Sequence, residues 1–161
     1  MIRHATKNDI PGIAAINRLS FGGNKPEGTA EKWITNHMSM SDAYHYFVAE
    51  ENGMIVGYIS WEIKGGFARA VPVLELEQLA VHPDYRGQGI GRALIAGTFA
   101  TMKQWIKKQQ ADATQLRVFV WTKKDNVAAQ AIYRSICPED KGSRNIFGGT
   151  DELMLVGEHT L

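Results

Sequence analysis

Cysteine is nearly absent from this sequence: Cys137 is the only one among 161 residues. A lone cysteine excludes an internal disulfide and any metal cluster built from several thiolates. An excess of charge of one sign is also lacking, because 18 basic and 17 acidic residues leave a formal net charge of +1. That balance gives no electrostatic reason to bind nucleic acid or an anionic membrane. The sequence therefore predicts no nucleic-acid partner, no membrane partner and no metal.

Long apolar runs are missing too. None is long enough to span a bilayer, and residues 1–7 do not begin a signal peptide. We therefore expect a cytoplasmic protein. What is present is ordinary for a globular protein, with 44% hydrophobic and 22% charged residues. The length suits one sizeable core, so we expect a single domain over residues 1–161.

Hydrophobic periodicity and turn residues predict the order β-α-α-β-β-β-α-β-α-β-β, a mixed α+β fold. Strands are expected at residues 2–6, 44–50, 54–63, 74–81 and 116–121, then around Ile146 and at 153–156. Helices are expected after residue 9, at 30–40, from residue 90, and from 127 to about 136. Residues 22–28, 65–70 and 139–144 are predicted to be loops.

The most informative stretch is strand 74–81 with the residues that follow it. The strand ends in an unbroken apolar run, and Pro83 cannot donate to a sheet ladder, so the strand stops before it. Three glycines at alternate positions then lead into a helical pattern: Gly87, Gly89 and Gly91. Glycine lets backbone approach a ligand closely, and a helix N-terminus presents free N–H groups. The stretch therefore predicts an anion site for a phosphate group.

Two common phosphate loops are excluded by the residues present. The mononucleotide loop requires Lys followed by Ser or Thr after its glycines, and neither pair follows here. The dinucleotide fingerprint fails because Arg92 occupies the position of its third glycine. What remains is the pattern Arg-x-x-Gly-x-Gly, which begins at Arg86 and ends at Gly91.

With the preceding Leu-Ala-Val-His-Pro-Asp-Tyr, this pattern resembles the acyl-coenzyme A pyrophosphate loop of the GNAT superfamily of N-acyltransferases. Residues 2–6 extend the resemblance, and residues 126–133 are similar to the family's Asn-x-x-Ala-x-x-x-Tyr helix. The order of elements matches over essentially the whole chain. The departure comes after Tyr133, where Ser-Ile-Cys-Pro stands in place of a Leu-Gly-Phe-like turn, so analogy does not predict the segment that follows.

The resemblance implies a central mixed sheet of about seven strands flanked by about four helices, with strands 74–81 and 116–121 splayed apart. It also implies acetyl-CoA as the acyl donor. The implied contacts to the pantetheine arm come from backbone groups of Leu79, Ala80 and Val81. Those to the pyrophosphate come from Arg86, Gly87, Gln88, Gly89, Ile90, Gly91 and Arg92. Asn126 is implied as a further pantetheine ligand, although capping the helix that follows is at least as good a role for it.

The resemblance places Tyr133 near the thioester sulfur. A phenol with a pKa of about 10 donates a hydrogen bond, and late in the step a proton, to a thiolate whose pKa is about 8.5. A partly buried packing tyrosine is the alternative. Glu77 is the candidate base, and Glu75 lies two residues away on the same face of the strand. For both glutamates, a solvent-facing or ion-paired role is the alternative.

Other candidates have less support. His82 suits a turn, while His37 and His45 are lone histidines that would line an acceptor pocket. Cys137 would need an adjacent base to carry an acyl group, and none is visible, so direct attack on the thioester is preferred. The acceptor is not readable from the sequence. The aromatic residues that suit an apolar pocket equally suit a core: Phe21, Trp33, Phe67 and Trp121.

The sequence and the resemblance together predict an N-acetyltransferase that transfers an acetyl group from acetyl-CoA to a primary amine by direct attack. The amine belongs to a small molecule or a peptide. A non-catalytic acyl-CoA-binding or regulatory domain is the alternative, and an interaction domain without a ligand is disfavoured by the glycine loop. A homodimer is left open.

Overall fold

The computed structural model describes residues 1–22, 25–66, 68–146 and 148–161. The strands are β1 (Ile2–His4), β2 (Tyr44–Glu51), β3 (Met54–Lys64), β4 (Val73–Val81), β5 (Gln115–Lys123), β6 (Glu139–Arg144) and β7 (Glu152–Thr160). The α-helices are α1 (Ile10–Phe21), α2 (Thr29–Ser39), α3 (Ile90–Gln109) and α4 (Val127–Tyr133). Short 3₁₀ helices at Lys7–Asp9 and Pro83–Tyr85 precede α1 and α3.

The strands form a seven-stranded sheet in the order β1-β2-β3-β4-β5-β7-β6. β2 pairs antiparallel with both β1 and β3, and β7 pairs antiparallel with both β5 and β6. Between them, β4 and β5 pair in parallel. The predicted mixed α+β fold, with about seven strands and about four helices, is confirmed.

The described residues group into two compact units. The first contains Met1–Glu62 and Gln78–Thr101, and the second contains Ile63–Glu77 and Met102–Leu161. The chain therefore passes from one unit to the other within β3, within β4 and within α3. The single domain expected over residues 1–161 stays a prediction.

The core of the first unit includes the apolar face of α1. Ile13, Ala14 and Ile16 recur at helical spacing and are buried, in one cluster with Val48 of β2 and Tyr58 of β3. Full burial of one such aliphatic side chain stabilises a fold by about 1.5–3 kcal/mol. The spacing is typical of a helix face in a core, although Phe21, the last apolar residue of α1, is 54% exposed.

An ion-paired network fixes the chain just before α1. Asp9 accepts hydrogen bonds from the backbone N–H and the hydroxyl of Thr6, at 2.7 and 2.9 Å. The guanidinium of Arg3 donates to both carboxylate oxygens of Asp9, each at 2.8 Å. These donors hold the pKa of Asp9 well below its usual value, because they stabilise the ionised carboxylate. The network ties β1 to the start of the helix.

In the second unit, β5 and β7 pair along the whole of both strands. Nine residue pairs join them, from Gln115 opposite Thr160 to Lys123 opposite Glu152. Burial alternates along β5, where Leu116, Val118 and Val120 are buried and their neighbours are more exposed. This period of two is the pattern expected of a strand with one face in a core.

The sequence prediction was wrong for β6. Residues 139–144 were expected to be a loop and the strand was expected around Ile146, but the strand is Glu139–Arg144. None of its six residues is buried, and it lies at the edge of the sheet with β7 as its neighbour. A charged edge strand has no apolar alternation, so hydrophobic periodicity gives no signal for it.

Helix α4 ends earlier than predicted, at Tyr133 rather than near Ile136. The carbonyl oxygen of Tyr133 accepts hydrogen bonds from the N–H groups of Ile136 and Cys137, at 3.0 and 2.8 Å. These bonds close a turn instead of extending the helix. Pro138 restricts only Cys137, the residue before it, and so does not account for an end at Tyr133.

The turn after α4 is held closely against β7. The imidazole Nε2 of His159 lies 2.7 Å from the carbonyl oxygen of Ile136. A Cβ atom on Gly157 would lie 1.9 Å from the same oxygen, which no real contact allows. Glycine is therefore required at position 157 because the backbone of the turn passes directly over it.

We expect Gly157→Ala to lower the free energy of unfolding by about 1–3 kcal/mol, the usual cost of overpacking. The matched control is Gly97→Ala inside α3, where the nearest atom to the new Cβ is a side-chain carbon of Ile2 at 3.8 Å. That change should stabilise by about 0.5–1 kcal/mol, because alanine favours helix interiors. Denaturant unfolding measures both. Equal stabilities for the two variants would contradict the close approach.

Candidate functional site

Strand β4 leaves part of its backbone outside the parallel ladder with β5. That ladder contains three residue pairs, from Val73 opposite Arg117 to Glu75 opposite Phe119. The rest of β4 includes Leu79, Ala80 and Val81, the residues predicted to pair with a pantetheine arm. Their backbone groups on that edge are not used by this ladder. An extended ligand that carries amides can pair with such groups as an added strand does.

A compact turn follows the strand. The N–H of His82 donates to the carbonyl oxygen of Val56 at 2.9 Å, which ends β4 against β3. The imidazole Nδ1 of His82 accepts from the N–H of Asp84 at 3.3 Å. His82 is thus a turn residue, as the sequence indicates. Arg86 is exposed, and its Nε donates to the carbonyl oxygen of Val81 at 3.1 Å.

The glycine loop has the geometry of an anion cradle. Gly87 and Gly89 have φ angles of +78° and +80°, a region that glycine enters without strain. Both are exposed, and a Cβ atom at either position would meet nothing within 4 Å. Helix α3 begins directly afterwards at Ile90, so its first N–H groups lie next to this open backbone. Positive dipole and unpaired donors at one point fit a pyrophosphate.

The start of α3 is packed tightly against β3. A Cβ atom on Gly57 would lie 3.2 Å from a side-chain carbon of Ile90 and 3.3 Å from one of Leu94. The carbonyl oxygen of Ala80 lies equally near, at 3.2 Å. The lack of a side chain at position 57 therefore lets the helix approach the sheet closely. Arg92, one turn into the helix, is exposed.

Asn126 caps α4, the structural role that the sequence analysis held open. Its Oδ1 accepts from the backbone N–H of Ala129 at 3.2 Å. The side chain is exposed, so the amide nitrogen keeps its donors on the surface.

Tyr133, the last residue of α4, is 7% exposed. Burial raises the pKa of its phenol to about 12, because the ionised form loses hydration. The phenol therefore keeps its proton at physiological pH and is able to donate a hydrogen bond. Burial also agrees with the packing role, so the chemistry of Tyr133 stays a prediction.

The two glutamates on β4 differ in their surroundings. The carboxylate of Glu75 pairs with the Lys64 ammonium at 2.7 Å, and its side chain is 13% exposed. Glu75 is thus the ion-paired residue that the sequence analysis gave as an alternative. Glu77 is half-buried on the same strand.

His37 and His45, the candidates for an acceptor pocket, and Cys137, the candidate acyl carrier, have surroundings that give them little catalytic reactivity. His37 is buried, stacks on Tyr44 with ring centroids 3.9 Å apart, and lies 3.1 Å from the hydroxyl of Tyr46. Burial lowers the pKa of His45 to about 4, which makes it a weak base. Cys137 is fully buried, and burial raises the pKa of its thiol to about 12. A buried thiol of this kind is a poor nucleophile, which agrees with direct attack.

Comparison with known proteins identifies the family. The model of the acetyltransferase (GNAT) family matches residues 10–137. The chain belongs to the GNAT acetyltransferase family. Proteins of this family use acyl-CoA, and the open glycine cradle before α3 fits the pyrophosphate of that donor.

Individual relatives of this GNAT protein share its length to different degrees. The N-alpha-acetyltransferase of Sulfurisphaera tokodaii is 35% identical over 109 residues, 64% of this chain and 62% of the relative. That of Saccharolobus solfataricus is 27% identical over 141 residues, 84% of this chain and 77% of the relative. The crystal structure of ribosomal-protein-alanine N-acetyltransferase from Brucella melitensis is 25% identical, with a TM-score of 0.67, covering 100% of this chain and 99% of that chain.

The aromatic residues suggested for an acceptor pocket of this GNAT protein lie in different settings. Phe21 is 54% exposed at the end of α1, and Trp33 is 36% exposed on α2. Trp121 of β5 is half-buried, and Phe67 lies outside the described residues. Within the described ranges, no helix is long and apolar enough to cross a membrane.

One polar cluster was missed by the sequence analysis. Asn17 of α1, Tyr58 of β3 and Gln78 of β4 are joined by hydrogen bonds in the first unit. Asn17 and Gln78 are 61 positions apart, so no local pattern could have connected them.

We expect Gly89→Glu to lower CoA affinity at least about tenfold, because it adds bulk and negative charge where backbone should meet pyrophosphate. The matched control is Gly53→Glu in the β2–β3 turn, which also is exposed, has a φ of +77° and has nothing within 4 Å. Left-handed backbone costs each variant about 1–2 kcal/mol of stability. Calorimetric titration with CoA checks the difference, and equal affinity for both folded variants would refute the cradle.

Proposed function

We propose that this protein is an N-acetyltransferase that transfers an acetyl group from acetyl-CoA to a primary amine. The observation that carries the proposal is the cradle before α3, formed by two exposed glycines in left-handed conformation with open space above them. It follows a strand whose ladder with β5 ends at Glu75. In a GNAT protein, this combination supports binding of an acyl-CoA by its pyrophosphate and its pantetheine amides.

The residues that would hold acetyl-CoA contribute mainly backbone groups. The backbone of Leu79, Ala80 and Val81 would pair with the pantetheine arm, and the amides from Gly87 to Arg92 would bind the pyrophosphate. Arg86 and Arg92 would add positive charge, and the amide nitrogen of Asn126 would donate to the pantetheine. Bound acetyl-CoA supplies the acetyl group as a thioester, which is already activated for attack by an amine.

Tyr133 would act on the departing sulfur. With a phenol pKa of about 12, complete proton transfer to a thiolate of pKa about 8.5 is unfavourable by about 5 kcal/mol. The buried phenol is therefore better suited to donate a hydrogen bond to the developing thiolate than to protonate it fully. This donation costs little reorganisation, because the side chain is already fixed and desolvated.

Glu77 would accept the proton that the amine loses, directly or through water. The need for a base grows with the basicity of the amine. At pH 7, deprotonation costs about 4.6 kcal/mol for a lysine-like amine and about 1.4 kcal/mol for an α-amine. Glu75, two residues away on the same face of the strand, is the second candidate, and its carboxylate pairs with Lys64.

The acceptor class that the relatives support is the α-amino group of a peptide or protein. Both archaeal relatives carry the name N-alpha-acetyltransferase, and the Brucella structure is that of a ribosomal-protein-alanine N-acetyltransferase. An α-amine also makes the smaller demand on the base. A cytoplasmic location is part of the proposal, since acetyl-CoA and new protein N-termini meet there.

The direct test is release of free thiol from acetyl-CoA in the presence of a panel of amines. We expect turnover with peptides that carry a free α-amine, and mass spectrometry should find the product heavier by the mass that one acetyl group adds. Calorimetric binding of CoA without turnover of any amine would favour the non-catalytic acyl-CoA-binding domain instead.

We expect Tyr133→Phe to lower kcat by about 10²- to 10³-fold, the usual cost of losing one hydrogen-bond donor to a developing anion, while CoA affinity and stability change little. The ring and its packing stay in place, and only the hydroxyl donor is lost. A fall of less than about threefold at saturating acceptor would leave Tyr133 as a packing residue. Because burial raises the pKa of Tyr133, its ionisation should not lower the wild-type rate below about pH 10.

Glu77→Gln tests whether Glu77 is the base, through the pH dependence of the rate. If Glu77 takes the proton of the amine, the loss of rate should be large at neutral pH and shrink as pH rises, since the free amine then forms without help. The loss should also be larger for a lysine-like amine than for an α-amine. Rate profiles against pH for both amines measure this. A constant offset would mean that Glu77 orients the acceptor, and coincident profiles would exclude any role.

A further inference from the structure

A closed ring of hydrogen bonds lies beside the apolar core of the first unit. The amide nitrogen of Asn17 donates to the hydroxyl oxygen of Tyr58 at 2.8 Å and to Oε1 of Gln78 at 3.2 Å. The hydroxyl of Tyr58 donates to the same Oε1 at 2.8 Å. Asn17 is 8% exposed and Tyr58 is fully buried. Asn17 of α1 and Tyr58 of β3 therefore hold the side-chain carbonyl of Gln78, although they are distant from it in sequence.

The amide nitrogen of Gln78 takes no part in this ring. Both bonds to this residue use Oε1, and the two N–H donors of Nε2 lie outside the ring. Gln78 is half-buried, whereas its two partners are buried. Because Asn17 and Tyr58 hold Oε1, the side-chain amide of Gln78 is fixed, and so is the direction of its two N–H groups. Pre-orientation of this kind lowers the entropy that a hydrogen bond to a ligand would cost.

The position of Gln78 in the chain connects this donor to the proposed cofactor site. It directly precedes Leu79, the first of the three residues proposed to pair with the pantetheine arm. It also follows Glu77, the proposed base, but side chains alternate along a strand, so the Gln78 side chain lies on the opposite face of β4 from that of Glu77. A leucine would fill a core position without any buried polar group, so the buried ring is not required for packing alone.

We propose that the Gln78 amide nitrogen donates a hydrogen bond to a carbonyl oxygen of a substrate, and that Asn17 and Tyr58 hold it in position. This inference rests on the proposed function and deepens it. An amide N–H₂ is a neutral donor, so it suits a carbonyl oxygen. Two such oxygens come near a reacting amine: the carbonyl that follows the α-amine of a peptide acceptor, and the carbonyl of the thioester.

The substitution Gln78→Glu distinguishes a ligand-binding role of Gln78 from a purely structural one. The carboxylate still accepts from Tyr58 and Asn17, so the ring is kept, but both N–H donors are lost. Gln104→Glu is the matched control, because it makes the same chemical change at an exposed position of α3. Gln78→Met, which removes the donors without adding charge, replaces Gln78→Glu if thermal unfolding shows that the glutamate variant does not fold.

The first arm compares a peptide α-amine with an alkylamine that has no carbonyl group. Thiol release gives kcat/KM for both, and calorimetry on the CoA-saturated protein gives their affinities whether or not turnover occurs. For an acceptor carbonyl, the ratio of peptide to alkylamine should fall about tenfold in Gln78→Glu, mainly through KM, and stay unchanged in Gln104→Glu.

The second arm compares acetyl-CoA with CoA by calorimetry. For a thioester carbonyl, Gln78→Glu should weaken acetyl-CoA relative to CoA by about tenfold and lower the rates with both amines equally. Unchanged ratios in both arms would overturn the proposal and return Gln78 to a structural role. The proposed function fails separately, if the wild-type protein releases no thiol with any amine.

Discussion

Backbone hydrogen bonding along β4 is the constraint on which the candidate site depends. A strand inside a sheet must find partners for its N–H and C=O groups on both edges, because an unpaired buried group costs about 1–3 kcal/mol. The ladder with β5 ends at Glu75, while β5 continues to pair with β7 over nine positions. The later residues of β4 lie outside this ladder, which supports the proposal that Leu79, Ala80 and Val81 pair with the amides of a ligand.

The glycine loop, like the end of β4, presents backbone groups rather than side chains. Its two left-handed glycines turn the chain from β4 into α3 without side chains over the turn. The close approach at Gly57 holds the first turn of α3 against β3, so the cradle rests on a packed helix rather than on a mobile one. The N-terminus of α3 contributes a positive dipole end to this loop.

Burial sets the chemistry of the side chains more than their identity does. The phenol of Tyr133 and the thiol of Cys137 both have pKa values raised to about 12 by desolvation, so each is neutral at physiological pH. The neutral thiol of Cys137 is a poor nucleophile, because the thiolate is the reactive form. The neutral phenol of Tyr133 keeps the O–H group that can donate a hydrogen bond. On β4, the carboxylate of Glu75 is held by an ion pair with Lys64. None of these differences can be read from the residue types alone.

The sequence by itself determined the family, the order of elements and the glycine loop, because each rests on a local pattern of apolar residues, glycines or caps. Tertiary structure decided the rest. The edge strand β6 has no apolar alternation and exists because β7 pairs with it. The turn after α4 is held by the close approach of its backbone to Gly157. The ring of Asn17, Tyr58 and Gln78 joins three elements through hydrogen bonds. Such contacts depend on distances in space, and no spacing along the chain encodes them.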